Sequence, residues 1–137
     1  MRTIEFFLPM HPPTITAQEH QVTVVKGKPV FYKPRELAEA ESKLMAYLGK
    51  HKPDKPLKGA VRLVTKWCFA ITGKHTDGEY KITKPDTDNL QKLLKDCMEK
   101  LGYYKNDAQV ASEITEKFWA EIPGIYIKLE ELEVEKS

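Results

Sequence analysis

Apolar and polar positions alternate over Thr3–Leu8, where Ile4, Phe6 and Leu8 share one side, and a period of two predicts a strand. Gln21–Val25 and Val30–Tyr32 flank Lys26-Gly27-Lys28-Pro29 and read as a hairpin. From Arg35 the period changes. Leu37, Ala40, Leu44, Tyr47 and Leu48 recur at helical spacing up to Gly49, which supplies a stop and predicts a helix over Arg35–Leu48. Beyond the stiff connection His51–Pro56, alternation returns most strongly over Ala60–Ile71, with Val61, Leu63, Thr65, Trp67, Phe69 and Ile71 on one face. Gly73–Lys84 is polar and rich in turn residues, and a mobile loop is expected there. A second helix is predicted from about Asp88 to Leu101: Leu90, Leu94, Cys97 and Leu101 form a stripe, Leu93 and Met98 widen it, and Gly102 ends it. Two closing strands follow, Gln109–Glu121 and Ile125–Leu132, turned by Pro123-Gly124.

The order β, ββ, α, β, α, ββ predicts an α+β fold, with two main helices packed on a largely antiparallel sheet. A chain of 137 residues forms one domain over residues 1–132, with 133–137 as an acidic, frayed tail. The apolar runs are too short to span a bilayer, and Arg2 leads directly into a strand-like segment. The expectation is therefore a cytoplasmic protein with no membrane partner. Charge changes the picture slightly: the last eight residues hold four glutamates against one lysine, so residues 1–129 carry a formal +5 against +2 for the whole chain. That surplus is compatible with nucleic acid without demanding it. Cys68 and Cys97 both fall on predicted elements and read as buried free thiols; with no C-x-x-C and no His-x-His, zinc is not indicated.

The chemistry concentrates in Lys84-Pro85-Asp86-Thr87-Asp88-Asn89-Leu90-Gln91-Lys92 and in Asn106-Asp107 beyond the second helix. Each of these residues has an ordinary structural use. Asp86 or Asp88 suits a helix N-cap, Asp88 and Lys92 stand at ion-pair spacing, and Asn106-Asp107 suits a turn. Taken together they are harder to explain, because one cap needs one aspartate and a second acid adds repulsion unless a cation offsets it. Magnesium takes a few carboxylates plus waters and phosphate oxygens. Asp86, Asp88 and Asp107 supply such ligands, Lys92 would face a scissile phosphate, and Asp96 lies one turn further as a supporting partner. A calcium loop fails, since its glycine and glutamate positions hold Gln91 and Cys97.

Distance raises a question. A helix of about 14 residues is roughly 20 Å long, so Asp107 starts far from Asp86 and Asp88. The intervening Gly102–Asn106 spans at most about 16–18 Å. Either this loop folds back along the helix, or Asp107 completes the site of a two-fold partner.

With these residues in hand, the chain resembles the RusA family of Holliday junction resolvases. The resemblance rests on Lys84–Lys92, continues through Leu94-Lys95-Asp96, and ends at Asn106-Asp107-Ala108-Gln109-Val110, with a weaker echo in Gly27–Pro34. It implies a homodimeric endonuclease that uses magnesium, or manganese as a substitute, to nick four-way DNA junctions symmetrically, and that phages and prophages often encode. It also implies Asp86, Asp88 and Asp107 as metal-binding carboxylates and Lys92 as the catalytic lysine, with Asn106 in support. Two departures stand out. Some members carry two adjacent aspartates where this chain has Asn106-Asp107, and many carry a basic cluster where it has Pro13–Gln18. Candidate DNA contacts are Lys26, Lys28, Lys33, Arg35, Lys74, Lys81, Lys84, Lys95 and Lys105, while His75 reads as a loop residue. The alternatives are a catalytically silent branched-DNA-binding protein and a metal-dependent nucleotide phosphohydrolase.

Overall fold

The computed structural model describes residues 1–14, 21–25, 27–32 and 35–133. In chain order the elements are β1 (Thr3–Leu8), β2 (Gln21–Val25), β3 (Lys28–Tyr32), α1 (Arg35–Gly49), β4 (Val61–Ala70), α2 (Thr87–Leu101), a short 3₁₀ turn (Asp107–Gln109), β5 (Val110–Ala120) and β6 (Gly124–Glu131). The α+β expectation holds, and every predicted strand and helix is present. Lys26, Lys33, residues 15–18 and the tail beyond 133 lie outside the described residues.

One four-stranded sheet carries the order β1-β6-β4-β5, and β2 and β3 form a separate hairpin. β6 pairs antiparallel with both β1 and β4. β4 and β5 pair parallel, so β4, α2 and β5 make a β-α-β unit. The last two strands are therefore not neighbours in the sheet: Pro123-Gly124 carries the chain over the end of β4, which lies between them. Gly124 pairs with Cys68, and Phe7 crosses so closely that a Cβ at Gly124 would stand 2.0 Å from its ring.

The alternation of β4 decides which face is covered. Val61, Leu63, Thr65, Trp67 and Phe69 are buried, whereas Arg62, Val64, Lys66, Cys68 and Ala70 on the other face are not. Cys68 is therefore only half-buried, which corrects its placement in the core; Cys97 is buried as expected. Both helices cover the same face. Leu44 and Leu48 of α1 meet Leu90, Leu93, Leu94, Cys97 and Met98 of α2 over Leu63 and Trp67 in one hydrophobic cluster.

One polar chain threads that cluster. Trp67 Nε1 donates to Thr65 Oγ1 (3.0 Å), and Thr65 Oγ1 donates to Gln91 Oε1 (3.0 Å), fixing the first turns of α2 against β4. The other end of α2 is set by Gly102, whose φ of 83° closes the helix as Tyr103 N donates to Met98 O. That turn buries Tyr103, which donates to Leu48 O of α1 (2.5 Å), and Tyr104, which donates back to Lys95 O (2.9 Å). Among the described residues no helix is long and apolar enough to cross a membrane.

Candidate active site at the two ends of one helix

The start of α2 presents two carboxylates that have no side-chain partner among the described residues. Asp86 is the N-cap, with extended backbone (φ −74°, ψ 150°), and its carbonyl accepts from Leu90 N at 3.1 Å. Its side chain makes no capping hydrogen bond. Asp88 lies in the first turn, where a carboxylate meets the positive end of the helix dipole. Lys92 follows one turn later, and all three residues are exposed. Among the described residues no Asp88–Lys92 ion pair forms. Neither ordinary use, cap nor surface pair, is realised.

The segment that delivers Asp86 is strapped from beneath by two lysines. Lys117 of β5 donates through Nζ to Thr83 O (2.6 Å) and Pro85 O (2.7 Å), bridging the cis Lys84–Pro85 peptide. Lys81 donates to Lys84 O (2.6 Å), to Thr83 O (3.3 Å) and to the Thr83 hydroxyl. Its ammonium also sits over the rings of Trp119 (4.7 Å) and Phe69 (5.1 Å). Burial, then the neighbouring Lys117 charge, lowers the Lys81 pKa. Only 9% exposed, Lys81 is a strut rather than the surface DNA contact expected of it.

The loop around Lys81 is hydrogen-bonded to β5. Gly78 N donates to Trp119 O, Trp119 N to Glu79 O, and Lys81 N to Lys117 O, so residues 78–81 run along β5. His75 stacks on Trp119 with ring centroids 4.3 Å apart and hydrogen-bonds to Glu79, in keeping with its reading as a loop residue.

Asp107 belongs to the opposite end. Its backbone N donates to Glu99 Oε1 (2.7 Å) in the last turns of α2, a helix of 15 residues and thus about 22 Å long. The loop Gly102–Asn106 stays at that end and does not fold back along the helix. Accordingly, no group of three potential ligands that could hold a metal exists among the described residues of one chain.

Asn106 has a structural task. Its Oδ1 accepts from Ala108 N (2.8 Å), and Gln109 Oε1 accepts from Asn106 N (3.1 Å), completing a capping box. The pattern Asn-x-x-Gln carries that signal in the sequence. Nearby, burial and then Asp107, Glu99, Asp96 and Glu113 push the Tyr104 phenol well above its ordinary pKa, so it stays protonated. Asp96 makes no ion pair with Lys92 among the described residues.

The expected DNA contacts divide by what they already touch. Arg35 pairs with Glu39 (2.9 Å) and Lys95 with Glu113 (2.5 Å), whereas Lys74, Lys84 and Lys105 are exposed. Lys28 opens β3. Lys117 was missed because a lysine inside a strand gives no local sign of the loop it holds.

Two carboxylates at one helix start fit magnesium, a hard cation commonly held by one or two carboxylates while waters and substrate phosphate complete its shell. A family model described as endodeoxyribonuclease RusA matches residues 11–130, a range that contains Asp86, Asp88, Lys92 and Asp107. The crossover junction endodeoxyribonuclease rusA of Lactococcus phage r1t is 33% identical over 122 residues, covering 88% of this chain and 86% of that protein. The chain belongs to the endodeoxyribonuclease RusA family.

Proposed function

We propose that this chain is a crossover junction endodeoxyribonuclease that resolves four-way DNA junctions by symmetric, magnesium-dependent phosphodiester cleavage, acting as a homodimer in the cytoplasm. The observation that carries the reading is the exposed start of α2, where the side chains of Asp86, Asp88 and Lys92 have no partner among the described residues. Asp86 and Asp88 would hold the divalent cation, which when bound would polarise a phosphodiester and lower the pKa of a water. Lys92, one turn along, directs its ammonium at the phosphate on which negative charge develops. The opening of this site to solvent suits a duplex backbone better than a small nucleotide, which binds in a concave pocket.

Asp107 enters from a second copy. Asp88, Lys92, Asp96 and Glu99 fall at spacings of three or four, so they form one stripe along α2 that ends beside Asp107. Two copies laid antiparallel along this stripe bring the Asp107 of each to the Asp86–Asp88 end of the other. A two-fold dimer of this kind has two equivalent sites, as paired nicks in a symmetric junction require.

Cleavage of a synthetic four-way junction tests the reading against a linear duplex, with magnesium and with chelator, for wild type and Asp88→Asn. Paired nicks that need magnesium and vanish in the variant are expected. Tight junction binding without nicks in any condition would instead identify a catalytically silent binder. Nucleotide turnover that junction DNA does not inhibit would identify a phosphohydrolase.

A further inference from the structure

Against the turn that carries Asp107, the loop at residues 55–59 closes a cleft of about 470 Å³ whose walls include Lys55, Leu57, Lys58, Lys105 and Gln109. Three of the lining residues are lysines and none is acidic. None of the three makes an ion pair among the described residues, and all are exposed.

The backbone around the cleft is turned so that its own acceptors are occupied. The Arg2 guanidinium donates to Lys55 O (2.8 Å) and Pro56 O (2.5 Å). Gln109 Nε2 donates to Leu57 O (3.1 Å) and Gly59 O (3.0 Å). Glu131, the carboxylate that touches this loop, accepts from Lys58 N (2.8 Å) and Arg2 N (2.9 Å) and lies 3.5 Å from the Arg2 guanidinium. The carbonyls of Lys55, Pro56, Leu57 and Gly59 are therefore engaged, while three ammonium groups remain for an anion. A single exposed lysine contributes little, but several of one sign around one concavity focus the field.

We propose that this cleft is a phosphate-binding site for the DNA backbone, holding the strand that passes Asp107. The inference rests on the junction-cleaving reading, which supplies the polyanion. Gln109 and Asp107 share one 3₁₀ turn, so a phosphate held by Lys55, Lys58 and Lys105 is fixed next to the carboxylate delivered to the partner's site. The contact is to phosphate oxygens alone, so it positions the duplex without reading its sequence. It also places basic contacts in a part of the chain remote from Pro13–Gln18.

The test is junction binding in chelator, which separates it from cleavage, measured over a range of salt. The proteins are wild type, a cleft variant (Lys55→Gln, Lys58→Gln, Lys105→Gln) and a control of equal charge (Lys43→Gln, Lys66→Gln, Lys128→Gln). Neutralising one phosphate-bound lysine lowers the log–log salt slope by about 0.9. The cleft variant is expected to lose about 2 to 3 in slope and to weaken equally on junctions of different sequence, with the control unchanged. Thermal unfolding should match wild type, because none of the three ammonium groups bonds within the described fold. A cleft variant with the wild-type slope, or a control that falls as far, overturns this site while leaving the junction reading intact. Wild type with no affinity for the junction overturns both.

Discussion

The two ends of α2 are built on opposite plans. At the start, Asp86, Asp88 and Lys92 are exposed, and neither the expected cap nor the expected ion pair is made. At the finish the turn is held by its own neighbours: Asn106 and Gln109 cap each other's turn, Glu99 accepts from Asp107 N, and Tyr103 and Tyr104 tie the loop to both helices. A site proposed to accept a cation and a phosphate is expected to leave its ligands uncompensated until they arrive. Lys81 and Lys117 fix backbone carbonyls of the segment before α2 rather than the carboxylates themselves. On the proposed reading, the finish of the helix presents one carboxylate, Asp107, to a partner copy.

The contrast is sharpest where substitution separates activity from stability. Asp88→Asn is expected to lower the cleavage rate by about 10²–10³-fold while changing stability by no more than about 0.5 kcal/mol. Junction-cleavage rates and denaturant unfolding measure the two quantities on the same protein. A variant that loses both would mean that Asp88 belongs to the fold.

Lys117→Met removes the bridge over Thr83 and Pro85 without touching a carboxylate. A loss on the order of tenfold in single-turnover cleavage is expected from a small displacement of the site. Junction affinity in chelator should stay at the wild-type level, and Lys117→Arg should restore part of the rate. Equal losses of binding and rate would instead make Lys117 a direct DNA contact.

Asn106→Ala tests the other end and should reverse the pattern. Loss of the cap costs roughly 0.5–2 kcal/mol of stability, visible in chemical unfolding, while the cleavage rate per folded protein remains close to wild type. A rate loss of the Asp88→Asn size without unfolding would place Asn106 in the site after all.

The smallest effect concerns the clamp beneath the lysine cleft. Hydrogen bonds from Lys58 N and Arg2 N hold the Glu131 pKa below its ordinary value of 4.5. A depressed carboxylate stabilises the fold above that ordinary value and loses its contribution as pH falls through the lower folded value. Wild type should therefore be slightly more stable than Glu131→Gln at neutral pH, with the two unfolding curves converging in acid. A constant difference across that window would show that the ionised form is not what matters.

What the sequence disclosed follows the range of the interactions involved. Alternation in β4 and the 3.6-residue stripe of α2 are local patterns, and Trp67, Leu90, Leu94 and Cys97 are buried where those patterns place them. The parallel β4–β5 pairing was not legible, because a strand's pattern names its buried face but not its neighbour. Two clues were present and could have been read further. Thr65 on an apolar face calls for a buried partner, which is Gln91, and Asn106-x-x-Gln109 spells a capping box. Lys117 and the Lys55–Lys58–Lys105 cleft had no such sign, since each depends on segments brought together only by the tertiary fold.

The central claim is that one protomer's Asp86, Asp88 and Lys92 work with its partner's Asp107, and subunit mixing tests it most directly. Asp88→Asn and Asp107→Asn proteins, each inactive alone, are mixed under conditions where subunit exchange is verified independently. In a shared site the heterodimer carries both lesions in one centre and leaves the other centre intact. Random mixing then restores about a quarter of the wild-type sites, because half the dimers are mixed and each has one intact centre. Recovered nicking at that level is the predicted result. Complete inactivity of the verified heterodimer would contradict the account, because it would confine each site to a single chain.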